Sequence, residues 1–114
     1  MDLEAIDEYS QVIRERHPII PTYMLNGISC YVLYGIRPGS FLEAVFSNDL
    51  RGAFERADHN NSHIIREYLM LAYSTLPANC WGSVKQFEEW LKSGGLIEME
   101  KKLAPAIDTV STTV

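Results

Sequence analysis

The chain has little of what secreted and membrane-bound proteins depend on. Only two cysteines, Cys30 and Cys80, occur among its 114 residues, which is too few for the disulfide framework of a small secreted domain. No apolar run approaches the roughly 20 residues of a membrane-spanning helix. The residues from Met1 to Glu4 are acidic, whereas a signal peptide begins with basic residues. We therefore expect reduced thiols, no membrane insertion and a cytoplasmic location.

Positive charge is also scarce. Ten lysines and arginines stand against 15 aspartates and glutamates, for a net charge of −5, which argues against non-specific binding to nucleic acid. A small anionic ligand held by a few local arginines stays compatible with that charge. A glycine-rich phosphate loop is absent, because Gly94-Gly95 follows a predicted helix instead of preceding one. The hydrophobic fraction of 46% is ordinary for one globular domain with a packed core.

Apolar residues recur at helical spacing, and no segment alternates with period two for long. We therefore predict an all-α fold: a compact irregular bundle of five to seven short helices, in one domain over residues 1–105. Residues 106–114 are small, polar and β-branched, which predicts a mobile tail. The predicted helix ends are the caps Asp2 and Thr22, the capping boxes Ser40–Glu43 and Ser83–Gln86, and the C-cap Gly94.

Two apolar rows are predicted to be buried. One crosses the middle of the chain and is interrupted at residues 47–49, so we expect two short helices with a break between them. The other begins at Ile64 after a predicted loop over residues 58–61. It is apolar nearly all round, which is typical of a central helix. The first row comprises Leu42, Phe46, Leu50, Ala53 and Ala57, with Phe41, Val45 and Phe54 alongside it.

A dense group of polar residues surrounds two predicted helix starts. Helix capping, and an ion pair of Arg56 with Asp49 or Asp58, would explain most of it without a ligand. The same mixture of amides, carboxylates and guanidinium groups can also hold a small polar or phosphate-bearing ligand. Both interpretations stay open for the whole group, which comprises Asn48, Asp49, Arg51, Arg56, Asp58 and Asn61.

Four further side chains suggest chemistry and also have ordinary explanations. Cys80 precedes a predicted helix N-terminus, a position that lowers a thiol pKa, yet the sequence places no base beside it, so we predict a small buried thiol. His59 and His63 have the spacing of a helical zinc pair, but no other ligand clusters with them. Trp81 could present its ring to a base or a partner protein, or simply pack in the core. We predict a non-enzymatic protein without metal or cofactor, and a small hydrolase using Cys80 or the histidine pair is the least favoured alternative.

Four sequence blocks resemble those of a known family. On these blocks and on scattered residues between them, the region 20–96 is similar to short proteins encoded by tailed bacteriophages and prophages. The first helix and the C-terminal tail lie outside the resemblance, which brings no catalytic or ligand-binding residues with it. The blocks are Pro38-Gly39-Ser40-Phe41-Leu42, Asn48-Asp49-Leu50, Ala53-Phe54-Glu55-Arg56-Ala57-Asp58 and Cys80-Trp81-Gly82-Ser83.

The resemblance implies a phage accessory protein that acts in an infected bacterium. Such a protein would counter host defence by binding and inhibiting a defence protein, or by sequestering a cyclic or other signalling nucleotide. An acidic surface suits the first route, since it can engage the basic surface of a nucleic-acid-binding complex. The polar group and Trp81 suit the second. An adaptor or assembly protein is the alternative, and it predicts a large apolar patch and a stable homo-oligomer.

Overall fold

Helices form all the regular secondary structure in residues 1–102, the part of the chain that the computed structural model describes. The predicted all-α bundle of short helices is confirmed. A 3-10 turn at Ala78–Cys80 precedes the helix Val84–Ser93, and residues 95–102 form a further helical segment after it. The α-helices are α1 (Leu3–Arg16), α2 (Thr22–Tyr34), α3 (Ser40–Phe46), α4 (Leu50–Arg56), α5 (His59–Ser62), α6 (Ile65–Ser74) and α7 (Val84–Ser93).

The central helix is α2. Seven of its 13 residues are buried, and α1 packs along one side of it. On another side the Tyr31 ring stacks on Phe46 of α3 and Phe87 of α7, with centroid distances of 4.8 and 5.2 Å. The prediction that α6 is central was therefore wrong. Met70 and Tyr73 of α6 are 44% and 77% exposed, because the middle of the bundle is already filled around α2.

Helix ends confirm some predicted caps and correct others. The Asp2 carboxylate accepts hydrogen bonds from two backbone amides of α1, and Gly94 closes α7 in a left-handed conformation. The Ser83 hydroxyl accepts from the backbone amide of Gln86 at 3.1 Å. The predicted cap at Thr22 and the box at Ser40–Glu43 were wrong. Those helices begin one residue earlier than predicted, after Pro21 and Gly39, and neither has a side-chain cap.

The break predicted at Ser47–Asp49 separates α3 from α4. Asn48 is the one non-glycine residue with positive φ (62°) among the described residues, and asparagine tolerates that left-handed conformation better than most residues. The next residue, Asp49, is the N-cap of α4, and its carboxylate accepts from the Gly52 amide at 2.9 Å. A left-handed turn followed by a new cap therefore ends one helix and starts the next.

The loop predicted over residues 58–61 contains a helical turn. Asp58 is the N-cap of α5, and its carboxylate accepts from the Asn61 backbone amide at 2.7 Å. That single cap satisfies a free amide of a four-residue helix, which explains why a segment rich in asparagine folds here. The sequence analysis placed Asp58 near a predicted helix end as a possible cap, but it did not predict the helical turn that follows.

Burial on α4 differs from the prediction for its apolar row. Ala53 is buried at 2% exposure, but Leu50 and Phe54 are both 64% exposed. The helix is only seven residues long and turns its small residues, Gly52 and Ala53, toward the core. Large side chains on its opposite face therefore remain in solvent.

Two findings complete the fold. None of the helices in residues 1–102 is long and apolar enough to cross a membrane. The predicted domain limit at residue 105 and the tail at 106–114 fall outside the described residues.

Candidate functional site

Asp49 and Arg56 form one pair of the predicted polar group. The Arg56 Nη1 lies 3.8 Å from the Asp49 Oδ2, and both groups pass close over the Cα of Gly52, where an added Cβ would collide with them. Asp49 also caps α4 with its other oxygen. The pair is about half exposed, so it contributes little to stability. The guanidinium of Arg56 is therefore only loosely engaged.

Arg51 points away from this pair. Its Nε donates to the Glu55 carboxylate at 3.0 Å, one helical turn along α4, and its side chain is 89% exposed. This arrangement is an ordinary surface ion pair on one helix. Arg51 therefore does not join Arg56 in a common anion site.

Asp58 links α5 to α2. Besides capping α5, its carboxylate accepts a hydrogen bond from the Tyr23 hydroxyl at 2.5 Å. This bond, followed by the backbone amide of Asn61, lowers the pKa of the Asp58 carboxyl. Asp58 is therefore held ionised, with both of its oxygens engaged by the protein. Sequence reasoning missed Tyr23, and its position at the start of α2 gave no signal of this contact.

Asn61 is committed to the core. Only 2% of the residue is exposed, and its Oδ1 accepts from the hydroxyl of the fully buried Tyr68 at 2.6 Å. A buried hydroxyl needs such an acceptor, because leaving it unpaired is costly. The structure therefore favours the stabilising interpretation of Asn61 over ligand binding.

One cleft brings three of the predicted site residues together. Arg56, Asp58 and Asn61 line it with Tyr23, and its volume is about 340 Å³. Asn48, Arg51 and Trp81 do not line it. The cleft contains one guanidinium group and one ionised carboxylate, with a second carboxylate, that of Asp49, on the far side of Arg56. Such a site has no excess positive charge with which to hold a phosphate.

The Cys80 thiol is enclosed by protein. Cys80 is fully buried, and burial raises the pKa of its thiol to about 12. Its backbone carbonyl accepts from the Tyr31 hydroxyl, which fixes the segment against α2. A protonated thiol without solvent access is a poor nucleophile. The predicted buried thiol is confirmed.

The rings of His59, the first residue of α5, and His63, its C-cap, pack edge-to-face. His59 and His63 have ring centroids 4.8 Å apart at an interplanar angle of 82°, and both are exposed. No group of three or more possible metal ligands occurs in residues 1–102. Within these residues, the edge-to-face pair therefore has no third side chain with which to build a metal site.

Exposed and half-buried apolar side chains lie on α4 and α6, and the sequence analysis missed this surface. Leu50 and Phe54 stand one turn apart on α4, and Ile65, Leu69 and Tyr73 follow each other at four-residue spacing on α6. The Tyr73 ring then packs edge-to-face on Trp81, at a centroid distance of 4.8 Å. We call this the α4–α6 surface, and its residues are Leu50, Phe54, Ile65, Leu69, Tyr73 and Trp81.

The signal for this surface was present in the sequence. The predicted row placed Leu50 and Phe54 with the core. The adjacent Gly52 and Ala53 are the residues that permit close packing, so they identify the inner face. Trp81, a predicted site residue, is partly buried and belongs to this surface instead of the Arg56 cleft.

Comparison of the chain with family models, with curated proteins and with solved structures finds no match.

Proposed function

We propose that the protein is a non-enzymatic accessory protein of a tailed phage that counters host defence by binding and inhibiting a host defence protein. It would act in the cytoplasm of the infected bacterium. The α4–α6 surface is the observation that carries the proposal, and the four phage-like sequence blocks supply the biological setting. Leu50 and Phe54 lie within two of those blocks.

The α4–α6 surface has the composition of a protein-binding surface. It contains three aromatic residues, Phe54, Tyr73 and Trp81, and aromatic residues are enriched in the energetically dominant parts of interfaces. Large apolar side chains in contiguous patches are uncommon on monomeric proteins and mark interaction sites. Leu50 and Phe54 at 64% exposure and Tyr73 at 77% are costly to leave in water, and a partner would remove that cost.

Two observations support a role without catalysis. The Cys80 thiol is buried and protonated, and within residues 1–102 no carboxylate or thiol clusters with His59 and His63 as a third ligand. Neither version of the hydrolase alternative has an accessible, activated nucleophile.

Sequestration of a nucleotide signal receives less support from the geometry. A phosphate-binding site concentrates positive charge or free backbone amides. The Arg56 cleft instead pairs its guanidinium group with Asp49 and adds the ionised Asp58. Asn61 turns its side-chain oxygen to Tyr68 and not toward a ligand.

A phage plating assay tests the proposed function. The protein is expressed in bacteria that each carry one defence system, and the efficiency of plating of sensitive phages is measured. We expect at least one defence system to lose protection by tenfold or more when the protein is present. Unchanged plating on every defended strain would contradict the proposal.

The adaptor alternative is favoured by the same surface, because an apolar patch can join two copies of the chain. Light scattering at high protein concentration separates the two functions. A stable oligomer whose formation requires Phe54 would support the adaptor. A monomer would leave the α4–α6 surface free for a host protein.

A further inference from the structure

We propose that the groove between α4 and α6 binds an amphipathic helix of the partner protein, one that places a carboxylate beside Arg66. This inference rests on the proposed function and names the kind of segment that the α4–α6 surface would take. The groove has a volume of about 620 Å³. Its apolar lining comes from Leu50, Phe54 and Ile65, and its charged and polar lining comes from Arg51, Glu55, Ser62, His63 and Arg66.

The apolar part of the groove is a pair of helical ridges. Leu50 and Phe54 project from the outer face of α4, since the inner face is occupied by Gly52 and Ala53. Ile65 begins the row on α6. Two helices that leave an apolar gap between them can accept a third, whose residues at positions i, i+3 or i+4 and i+7 insert into the gap.

The secondary structure favours a helical occupant over an extended one. Residues 1–102 contain no strand, so this part of the chain offers no sheet edge to which an extended peptide could add its backbone hydrogen bonds. A helix satisfies its own backbone and needs only side-chain contacts from the groove. On α6, Ile65 lines the groove, and Leu69 lines an adjoining pocket together with Leu50 and Ile65.

The charges that line the groove favour a partner helix with an acidic side chain. Arg51 is neutralised by Glu55 at 3.0 Å, but Arg66 forms no ion pair with any carboxylate in residues 1–102. Arg66 is exposed at the groove, with the His63 imidazole also in the lining. The protein has a net charge of −5, but this groove carries a positive charge at Arg66. A carboxylate on the occupant would find its counter-ion in Arg66, whereas a basic helix would be repelled.

A peptide-display library tests this assignment directly. The library presents helix-forming peptides of about 14 residues, or four helical turns, with random residues at the outward positions. We expect the enriched sequences to have apolar residues at i, i+3 or i+4 and i+7, with aspartate or glutamate on one flank. Enrichment of basic or extended sequences, or of none, would overturn the proposal.

Variants of the groove then locate the binding. The best enriched peptide should bind Leu50→Gln/Phe54→Gln at least tenfold more weakly than it binds the wild type. It should bind the matched control Leu3→Gln/Val84→Gln equally well, because those side chains are comparably exposed, at 70% and 63%, and lie on other helices. Arg66→Glu should weaken the peptide by tenfold or more, and a version with lysine in place of its acidic residue should recover binding to that variant. Equal binding to wild type and Leu50→Gln/Phe54→Gln would contradict the location.

Failure of this inference can be told apart from failure of the proposed function. If the peptide binds as expected while plating on defended strains never changes, the groove assignment stands and the anti-defence role falls. If plating rises and Leu50→Gln/Phe54→Gln raises it equally, the anti-defence role stands and the groove assignment falls. A wild-type dimer that buries Phe54 would also overturn the assignment, since the occupant would then be a second copy of the chain.

Discussion

The side-chain oxygen of Asn61 is the acceptor for a phenol that has no access to water. We predict that Asn61→Ala lowers the free energy of unfolding by about 1–3 kcal/mol, because the buried Tyr68 hydroxyl loses its partner. Tyr68→Phe should lower the free energy of unfolding by a similar amount, because the side-chain oxygen of Asn61 then loses its hydrogen-bond donor. The double variant should cost less than the sum of the two, which urea unfolding of all four proteins measures.

Two stable single variants would contradict this account. In that case Asn61 would be dispensable to the core and available to a ligand in the Arg56 cleft. The Asp58 cap is the internal control. Asn61→Ala keeps the backbone amide from which the Asp58 carboxylate accepts its hydrogen bond.

The backbone conformation at Asn48 explains why an asparagine occupies this position. Its φ of 62° strains residues with a Cβ, and asparagine tolerates this conformation better than alanine. We predict that Asn48→Gly leaves stability within a few tenths of a kcal/mol, whereas Asn48→Ala costs about 1 kcal/mol. Thermal unfolding of the two variants checks this, and an alanine variant as stable as the wild type would mean that the turn is not left-handed.

At the scale of elements, His17 connects the end of α1 to the end of α6. Its Nε2 lies 2.7 Å from the Thr75 hydroxyl oxygen. Burial lowers the pKa of its imidazole, with Glu67 acting in the opposite direction and Arg16 in the same one. Because the pKa is lower in the folded state, the unfolded chain takes up the proton first. The stabilising contribution is complete above the ordinary pKa of 6.5 and is lost as pH falls through the folded value.

We therefore predict that the free energy of unfolding declines between pH 7.5 and pH 5.5, and that His17→Gln removes part of that decline. Urea unfolding at several pH values measures both proteins. The variant is expected to be less stable at pH 7.5, where the neutral imidazole is in place. Parallel pH profiles for wild type and variant would exclude His17 as the origin.

The two faces of α4 should respond differently to substitution. Leu50→Gln/Phe54→Gln should change the free energy of unfolding by less than about 1 kcal/mol, because both side chains are already in solvent. Ala53→Leu, on the buried face, should cost about 1–3 kcal/mol through overpacking. Chemical denaturation compares them, and a large loss for the glutamine pair would mean that Leu50 and Phe54 belong to the core after all.

Local signals in the sequence predicted α1, the α3–α4 break and the end of α7, because each has a nearby chemical cause. Asp2 caps a helix, residues 47–49 interrupt one, and Gly94 closes one. The sequence contained only an indirect signal for the buried face of α4, in Gly52 and Ala53, and none for which helix is central. Those properties depend on tertiary packing: α2 became central because the Tyr31 ring stacks on two other helices.

The residues of the candidate site likewise divide into features that local sequence predicts and contacts that only the fold determines. Caps at Asp49 and Asp58 and the Arg56–Asp49 pair follow from local sequence, and the structure contains them. The contacts of Asn61 with Tyr68 and of Asp58 with Tyr23 join residues whose approach only the fold determines. Sequence spacing therefore grouped polar residues that the protein uses separately.

At the scale of the whole molecule, an acidic protein exposes an apolar surface on α4 and α6, and Arg66 at its edge forms no ion pair within residues 1–102. Most of the polar side chains that first suggested a ligand site form helix caps and ion pairs. Large side chains that the core does not use lie together on α4 and α6. Function is therefore expected from surface contacts with another protein and not from an enclosed cleft.

The most direct test of this account is efficiency of plating on a defended strain that the wild-type protein sensitises. Three proteins are compared at matched expression: wild type, Leu50→Gln/Phe54→Gln and the control Leu3→Gln/Val84→Gln. We predict that the control sensitises the strain as the wild type does and that Leu50→Gln/Phe54→Gln loses at least tenfold of the effect while remaining folded. Full activity of Leu50→Gln/Phe54→Gln would contradict the claim that the protein acts through its α4–α6 surface.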